Sequence, residues 1–554
     1  MNVGWQKKII ILTAVAMAAA ITLPSAWAQS ASPPPTPGSV ITPIDKPVVQ
    51  PGITREPIIT SGDEGTFTPP AYSKKIQVDQ FVLTGNSLFD DEVLLGEIAD
   101  YIDASITLDQ IYQAADRIEQ YYRAQGYLLT SVYVPAQKIS SGTVRLEIIE
   151  GRLEGVQLEG ELDSYKAGFL LRQLDDLKLG EVITSPELEK EVLLLNDLPG
   201  LSARAVIFPG SEYGTSTITI VAEEDRSQST LRLNNHGRVS LGEARLEVGW
   251  LYANPFAQGD QLNLSAIVSE DARMLFVRAD YDALINKSGT RVGIGASAFD
   301  YEVDTAEIGL VGDLGGEGAN LRLLVTHPLV RQQRNRLDFI AVLRRDETSE
   351  NGNLALSTET QSINVLDLTL QWQPTHANGS VSTAFITFSS NFEHNTDGSK
   401  DDALNDKLTI DYRYHMLFAK TWFALLRANL VFASDPLPDV ERYRLGGPNS
   451  VRAYPTAEVA GDEGELFSVD IGKRFRLSGT TLLIAKIFAD TGKVTRILPN
   501  EKQFEERLAG YGAGILVDFA GRHTIEFEVV TPTTDRISSD GRDTRGWLNY
   551  AVHF

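Results

Sequence analysis

Histidine is the side chain best suited to move a proton or hold a metal near neutral pH. Those present, His236, His327, His376, His394, His415, His523 and His553, form no i, i+4 pair, no HExxH and no metal-ligand spacing. Cysteine is absent, which removes disulfides, thiolate metal sites, iron–sulfur clusters and cysteine nucleophiles together. No G-x-S-x-G marks a serine nucleophile. Gly510, Gly512 and Gly514 imitate a nucleotide loop but fall in a strand pattern, where close packing beneath another segment is the plainer reason for glycine. Asp397, Asp401, Asp402 and Asp406 could hold calcium, although a solvated acidic loop is the plainer reading. No catalytic residue, metal site or cofactor is expected, and the chain is not read as an enzyme.

Two other segments stand out. The long connection 433–464 carries Gly446-Gly447, then Val451-Arg452-Ala453-Tyr454, Glu458 and Gly461-Asp462. Further on comes Phe488-Ala489-Asp490-Thr491-Gly492. Elements must position these segments, and composition bounds what the elements are. The 554 residues are 42% hydrophobic and 22% charged, ordinary for folded protein, and the net charge of −24 argues against a nucleic-acid partner. Past the first two dozen residues no apolar run is long enough for a spanning helix. A helical membrane protein is excluded; a barrel is not.

Residues 1–28 read as a secretory signal. Lys7 and Lys8 precede an apolar run, and Ala26-Trp27-Ala28 offers the small-x-small cleavage site. The envelope of a bacterium is the expected address. Residues 29–74 are proline-rich, with Pro33, Pro34, Pro35 and Pro37 opening the stretch, and read as an extended tether.

From residue 75 to 225 a β-α-α-β-β pattern occurs twice, over 75–151 and 152–225. In the first copy Leu108, Ile111, Ala115, Ile118 and Tyr122 fall on one helical face, with Thr107 as N-cap and Gly126 closing the helix. Small sheets of this kind leave an edge strand open to an extended peptide.

From 226 to 554 the helical period vanishes. Leu246, Val248, Trp250 and Tyr252 alternate with Arg245, Glu247 and Gly249, and strand after strand repeats an apolar face and a polar one. With no helices to cover a soluble sheet, a lipid-facing exterior and a wet lumen explain the pattern. The segment allows about 20 residues per strand and connection for sixteen strands. The count is sixteen if Asp304–Gly312 is a loop and seventeen if it is a strand; bacterial barrels favour the even number. The expected fold is mainly β: a 16-stranded antiparallel transmembrane barrel behind two α/β modules.

Phe81-Val82-Leu83-Thr84-Gly85-Asn86, Tyr122-Arg123-Ala124-Gln125-Gly126-Tyr127 and Ile149-Glu150-Gly151 resemble polypeptide-transport-associated (POTRA) domains. The connection 433–464 resembles loop six of the two-partner-secretion transporters (TpsB, the ShlB/FhaC/HecB haemolysin secretion/activation family) of the BamA-like superfamily. Ala453 stands where that family has glycine. The Phe488, Asp490, Gly492 element is similar to the family's Phe-x-Asp-x-Gly on the inner wall.

The resemblance implies a loop folded into the lumen, with Arg452 paired to Asp490. It implies two periplasmic POTRA domains, an outer-membrane address and export of an unfolded partner to the surface without ATP. That partner would be a TpsA-like exoprotein, a large β-rich adhesin or haemolysin. Phe554, aromatic and last, resembles the signal read by the barrel assembly machinery. The alternative reading is a BamA-like assembly factor, although such proteins generally carry more POTRA units.

Overall fold

The computed structural model describes residues 36, 59–61, 74–139, 141–354, 360–396, 399–401, 405–498 and 503–554. The signal segment 1–28 lies outside them, as do Asp397 and Asp402 and all of 29–74 except Thr36, Ile59, Thr60, Ser61 and Lys74. The chain divides into two compact units: Thr54–Asp225 with Arg331–Gln333, and the remaining residues.

In the first module Gln80–Thr84 runs parallel to Thr143–Glu150, with Thr130–Tyr133 antiparallel on the other side. Helix Leu108–Ala124 starts where a cap allows it. Thr107 accepts the Gln110 N–H, and Gln110 accepts the Thr107 N–H in return. Ile111, Ala114, Ala115, Ile118 and Tyr122 are buried against the sheet, whereas Leu108, in the first turn, is half-buried. Gly126, at φ +95°, follows the helix in the left-handed conformation. Strand Ala104–Ile106, paired with Ile76–Val78, is too short for alternation to reveal.

The second module orders its strands Leu201–Pro209, Thr215–Glu224 and Arg152–Glu159, with helices Ala167–Gln173 and Ser185–Asn196. A further strand, Ile59–Ser61, runs parallel to Leu201–Pro209. These three residues belong to the segment read as a tether, and there the reading is corrected: Ile-Thr-Ser is β-prone and proline-free, and the sheet edge supplies its hydrogen bonds.

A carboxylate closes each module in the same way. Glu150 accepts the backbone N–H groups of Ser87 and Leu88 at 2.8 and 2.9 Å and the Tyr122 hydroxyl at 2.9 Å. Glu224 accepts the N–H groups of Asp163 and Ser164 at 2.9 and 3.0 Å. The hydroxyls of Ser87 and Ser164 donate as well. Burial alone would raise both carboxyl pKa values, but the donors outweigh it and hold both below the usual range. Gly85 and Gly160 have positive φ, and a β-carbon on either would meet the carbonyl oxygen two residues before the clamp, Ile148 O at 2.2 Å or Ala222 O at 1.9 Å. The pair of modules is a repeat in chemistry as well as in pattern.

In the other unit sixteen antiparallel strands close into a barrel, the first (Ser227–Asn234) meeting the last (Arg545–His553). Asp304–Gly312 is a loop, held by Thr305 Oγ1 donating to Gly312 O at 2.6 Å and by Ile308 buried with Val303 and Leu314. The twelfth strand, Glu463–Arg476, shows the alternation plainly: Phe467 and Val469 are 45% and 40% exposed, Ser468 and Asp470 2% and 3%. The apolar face points out and the polar face in, as a lipid-embedded barrel requires.

Candidate functional site: a loop latched inside the barrel

The eleventh strand (Trp422–Ala433) and the twelfth are joined by the long connection, which forms a small hairpin of Tyr443–Leu445 and Val459–Gly461. A loop of this length needs anchors against its entropy. Its glycines allow the tip to double back: Gly446 and Gly447 have φ near +100°, and a β-carbon on Gly446 would stand 2.3 Å from Pro455 O. Val451, Arg452, Ala453 and Tyr454 are all buried.

Arg452 is the chief anchor. Its Nε and Nη2 donate to the two oxygens of Asp490 on the thirteenth strand (Thr481–Ile497), both at 2.8 Å, and its own backbone N–H reaches Asp490 at 3.1 Å. Nη1 and Nη2 also fork onto Asp470 at 3.0 and 2.7 Å, and Nη1 reaches Glu528 on the fifteenth strand (His523–Pro532) at 3.2 Å. The guanidinium carbon stands over the Phe488 ring, 3.4 Å from its centroid. One guanidinium thus joins three carboxylates on three strands. Lys486, 2.7 Å from Glu528 and 2.8 Å from Glu526, and Arg427, 3.5 Å from Asp470, offset part of the excess negative charge. The Trp547 indole N–H donates to Arg452 O at 2.8 Å.

The remaining sequence-selected residues each have a place. Glu458 accepts the Ser539 N–H at 3.0 Å. Asp462 takes the N–H groups of Leu437 and Ile497 at 2.9 and 2.7 Å, tying the hairpin base to the thirteenth strand. The Tyr454 hydroxyl meets Thr534 at 2.5 Å. Gly461 and Gly492 allow close approach: β-carbons there would lie 2.7 Å from Thr495 O and from Leu445 Cδ1. A β-carbon on Gly510 would fall 2.4 Å from that of Ala453, so the departure from glycine at 453 is accommodated by glycine on the wall. Phe554 stands apart from the loop, 77% exposed, exchanging backbone hydrogen bonds with Ser229.

Sequence reading missed several partners. Asp470, Glu528 and Lys486 could be assigned to the inner face by alternation, but nothing in the chain says which inner-face charges the loop meets. It also missed Glu441, buried and paired with Arg344 of the seventh strand (Asn335–Asn351) at 2.7 Å and with Lys407 of the tenth (Asn405–Phe418). Arg444 donates to Thr36 Oγ1 at 3.4 Å, so one residue of the proline-rich segment reaches the loop. Loop and wall together line a cavity of about 510 Å³ that includes Arg232, His236, Arg427, Arg452 and Glu526 in its lining.

The profile of the haemolysin secretion/activation proteins ShlB/FhaC/HecB matches residues 214–517, and that of the ShlB-type POTRA domain matches 76–151. The chain belongs to the ShlB/FhaC/HecB family. It is an outer-membrane transporter of this exoprotein-secreting family, with its POTRA region in the periplasm. Among similar proteins is the heme/hemopexin transporter protein HuxB of Haemophilus influenzae, 24% identical over 88% of this chain and 90% of the relative. The solved structure of CdiB from Escherichia coli superposes with a TM-score of 0.68 at 18% identity, over 90% of this chain and 94% of that one. BamA from Haemophilus ducreyi, lacking POTRA domains 1–3, gives 0.53 at 13% identity, over 86% and 100%. Both likenesses are of fold.

Proposed function

We propose that the chain captures an unfolded, secreted partner in the periplasm through the sheet edges of its two modules and passes it through the barrel in extended form. The partner is a TpsA-like, large β-rich adhesin or haemolysin. The Arg452 cluster carries this reading: a loop held across a wet lumen by ion pairs is a closure that binding energy can open. At an effective dielectric of 20, two unit charges about 4 Å apart attract by roughly 4 kcal/mol before desolvation, and desolvation leaves less. No nucleotide site is assigned, so the drive comes from the partner folding outside. The chain carries no catalytic function, and Phe554 serves the barrel assembly machinery as its recognition signal.

The test is export of the partner by cells carrying Arg452→Ala or Asp490→Ala, with barrel insertion verified. Undiminished export in both variants would refute the mechanism. A BamA-like assembly role is the rival reading, because the barrel resembles BamA in fold. Deletion separates the two: loss of an assembly factor is lethal, whereas loss of a dedicated exporter removes one surface protein.

A further inference from the structure

Among the described residues five arginines are buried: Arg238, Arg245, Arg444, Arg452 and Arg545. Four of them meet acceptors of this chain. Arg444 reaches Asp439 at 2.8 Å, Arg545 pairs with Asp540, Arg238 donates to Ala457 O at 3.5 Å, and Arg452 holds its three carboxylates. The Arg245 side chain has neither a hydrogen bond nor an ion pair among the described residues, and its Nε is covered with no acceptor in reach. Burying an unpaired charge is costly, so such a group calls for a partner that the fold itself does not supply.

Arg245 opens the second barrel strand (Arg245–Ala253), opposite Asn234 of the first and Ser269 of the third (Asp260–Ser269). Glu247 lies on the same face two residues along, but it is already engaged: Asn234 Nδ2 donates to it at 2.8 Å, and Arg232 stands 3.9 Å away. Arg245 lines the cavity of about 510 Å³ together with residues 446–450 of the long loop. Connections from odd to even strands share one rim of an antiparallel barrel, so Arg245 heads its strand at the rim from which that loop enters. A chain that displaces the loop therefore opens the cavity into the passage and meets Arg245 there.

We propose that Arg245 is the centre of a carboxylate-binding site in the lumen, and that its occupant is an acidic side chain of the exported partner in transit. A guanidinium fork matches a carboxylate in shape and in charge, and carboxylates are what this chain gives Arg452, Arg322 and Arg344. The proposal rests on the transport reading above and names a contact that the partner makes inside the barrel.

The site is tested first without transport, on the purified full-length protein in detergent with acetate as the probe. Acetate should raise the urea midpoint above that in chloride of equal ionic strength, because a ligand that binds the folded state stabilises it. Arg245→Gln should abolish the rise, and because it removes an unpaired charge it should leave the chloride midpoint no lower than that of the wild type. No rise in the wild type, a rise that survives in Arg245→Gln, or a lower chloride midpoint in the variant overturns the site. In cells, with barrel insertion verified, export of the partner should fall at least threefold in Arg245→Gln and further in Arg245→Glu, and Arg245→Lys, which keeps the charge, should recover most of it. Wild-type export from both Arg245→Gln and Arg245→Glu would mean that a free anion alone occupies the site, and overturns the partner as its source. Absence of export from the unmodified chain would instead overturn the transport reading and leave the acetate result standing, so the failures are told apart.

Discussion

The periplasmic modules and the barrel lumen both fix a backbone segment with a carboxylate, buried at Glu150 and Asp490 and half-buried at Glu224, and they differ in what faces it. Glu150 and Glu224 meet neutral donors, the backbone N–H groups and hydroxyls of residues earlier in the same module. Asp490, Asp470 and Glu528 meet a cation that belongs to another loop. A neutral-donor clamp is made once, during folding, because every partner lies in the same small module. A shared guanidinium can leave as a unit, and the wall it leaves keeps an arrangement of charges to which it can return. The first device builds a scaffold, and the second suits a closure.

The difference predicts unequal responses to charge removal. Arg452→Ala should be the most severe change, since it strands three carboxylates; breaking a buried pair costs about 3–5 kcal/mol. Export should fall at least tenfold while the barrel still inserts, checked by surface assay alongside heat-modifiable gel mobility. Asp490→Asn should come next and exceed Asp470→Asn, because Asp490 alone also holds the Arg452 backbone N–H. Each lost charge-assisted hydrogen bond is worth about 1.5–3 kcal/mol, and urea midpoints of the two variants in detergent would rank them.

Glu150→Gln should destabilise only the first module, by about 1–3 kcal/mol. Its folded pKa lies below the unfolded value of about 4.3, so the ionised clamp stabilises above that pH and the contribution is lost as pH falls through the folded pKa. Amide-exchange protection at Ser87 and Leu88 should therefore differ between wild type and variant at pH 7 and converge in strong acid. Gly510→Ala should be the mildest, costing about 1–3 kcal/mol by overpacking against Ala453, and Ala453→Gly in the same chain should restore the midpoint. If Gly510→Ala matched Arg452→Ala, packing rather than charge would hold the loop.

Much of this was legible in the sequence because the signals are local. Thr107 announces an N-cap, Ile111 to Tyr122 announce a face, and Leu246 to Tyr252 announce a strand with one apolar face and one polar face. The Arg452 and Asp490 motifs were legible only through resemblance, since 38 residues of separation encode no contact by periodicity. Glu441 with Arg344 carried no signal at all: a glutamate in a loop and an arginine on an inner face are ordinary until the barrel closes. Ile59–Ser61 was hidden by its proline-rich surroundings, and its pairing depends on a sheet edge about 140 residues along the chain.

The central claim is that charge keeps the tip of the long loop inside the lumen. Val451→Cys places a single thiol in a chain with no other cysteine, at a position that is fully buried beside Arg452. On intact cells a membrane-impermeant maleimide should leave it unlabelled, and adding Arg452→Ala should make it label readily. Equal labelling rates in the two backgrounds would contradict the account.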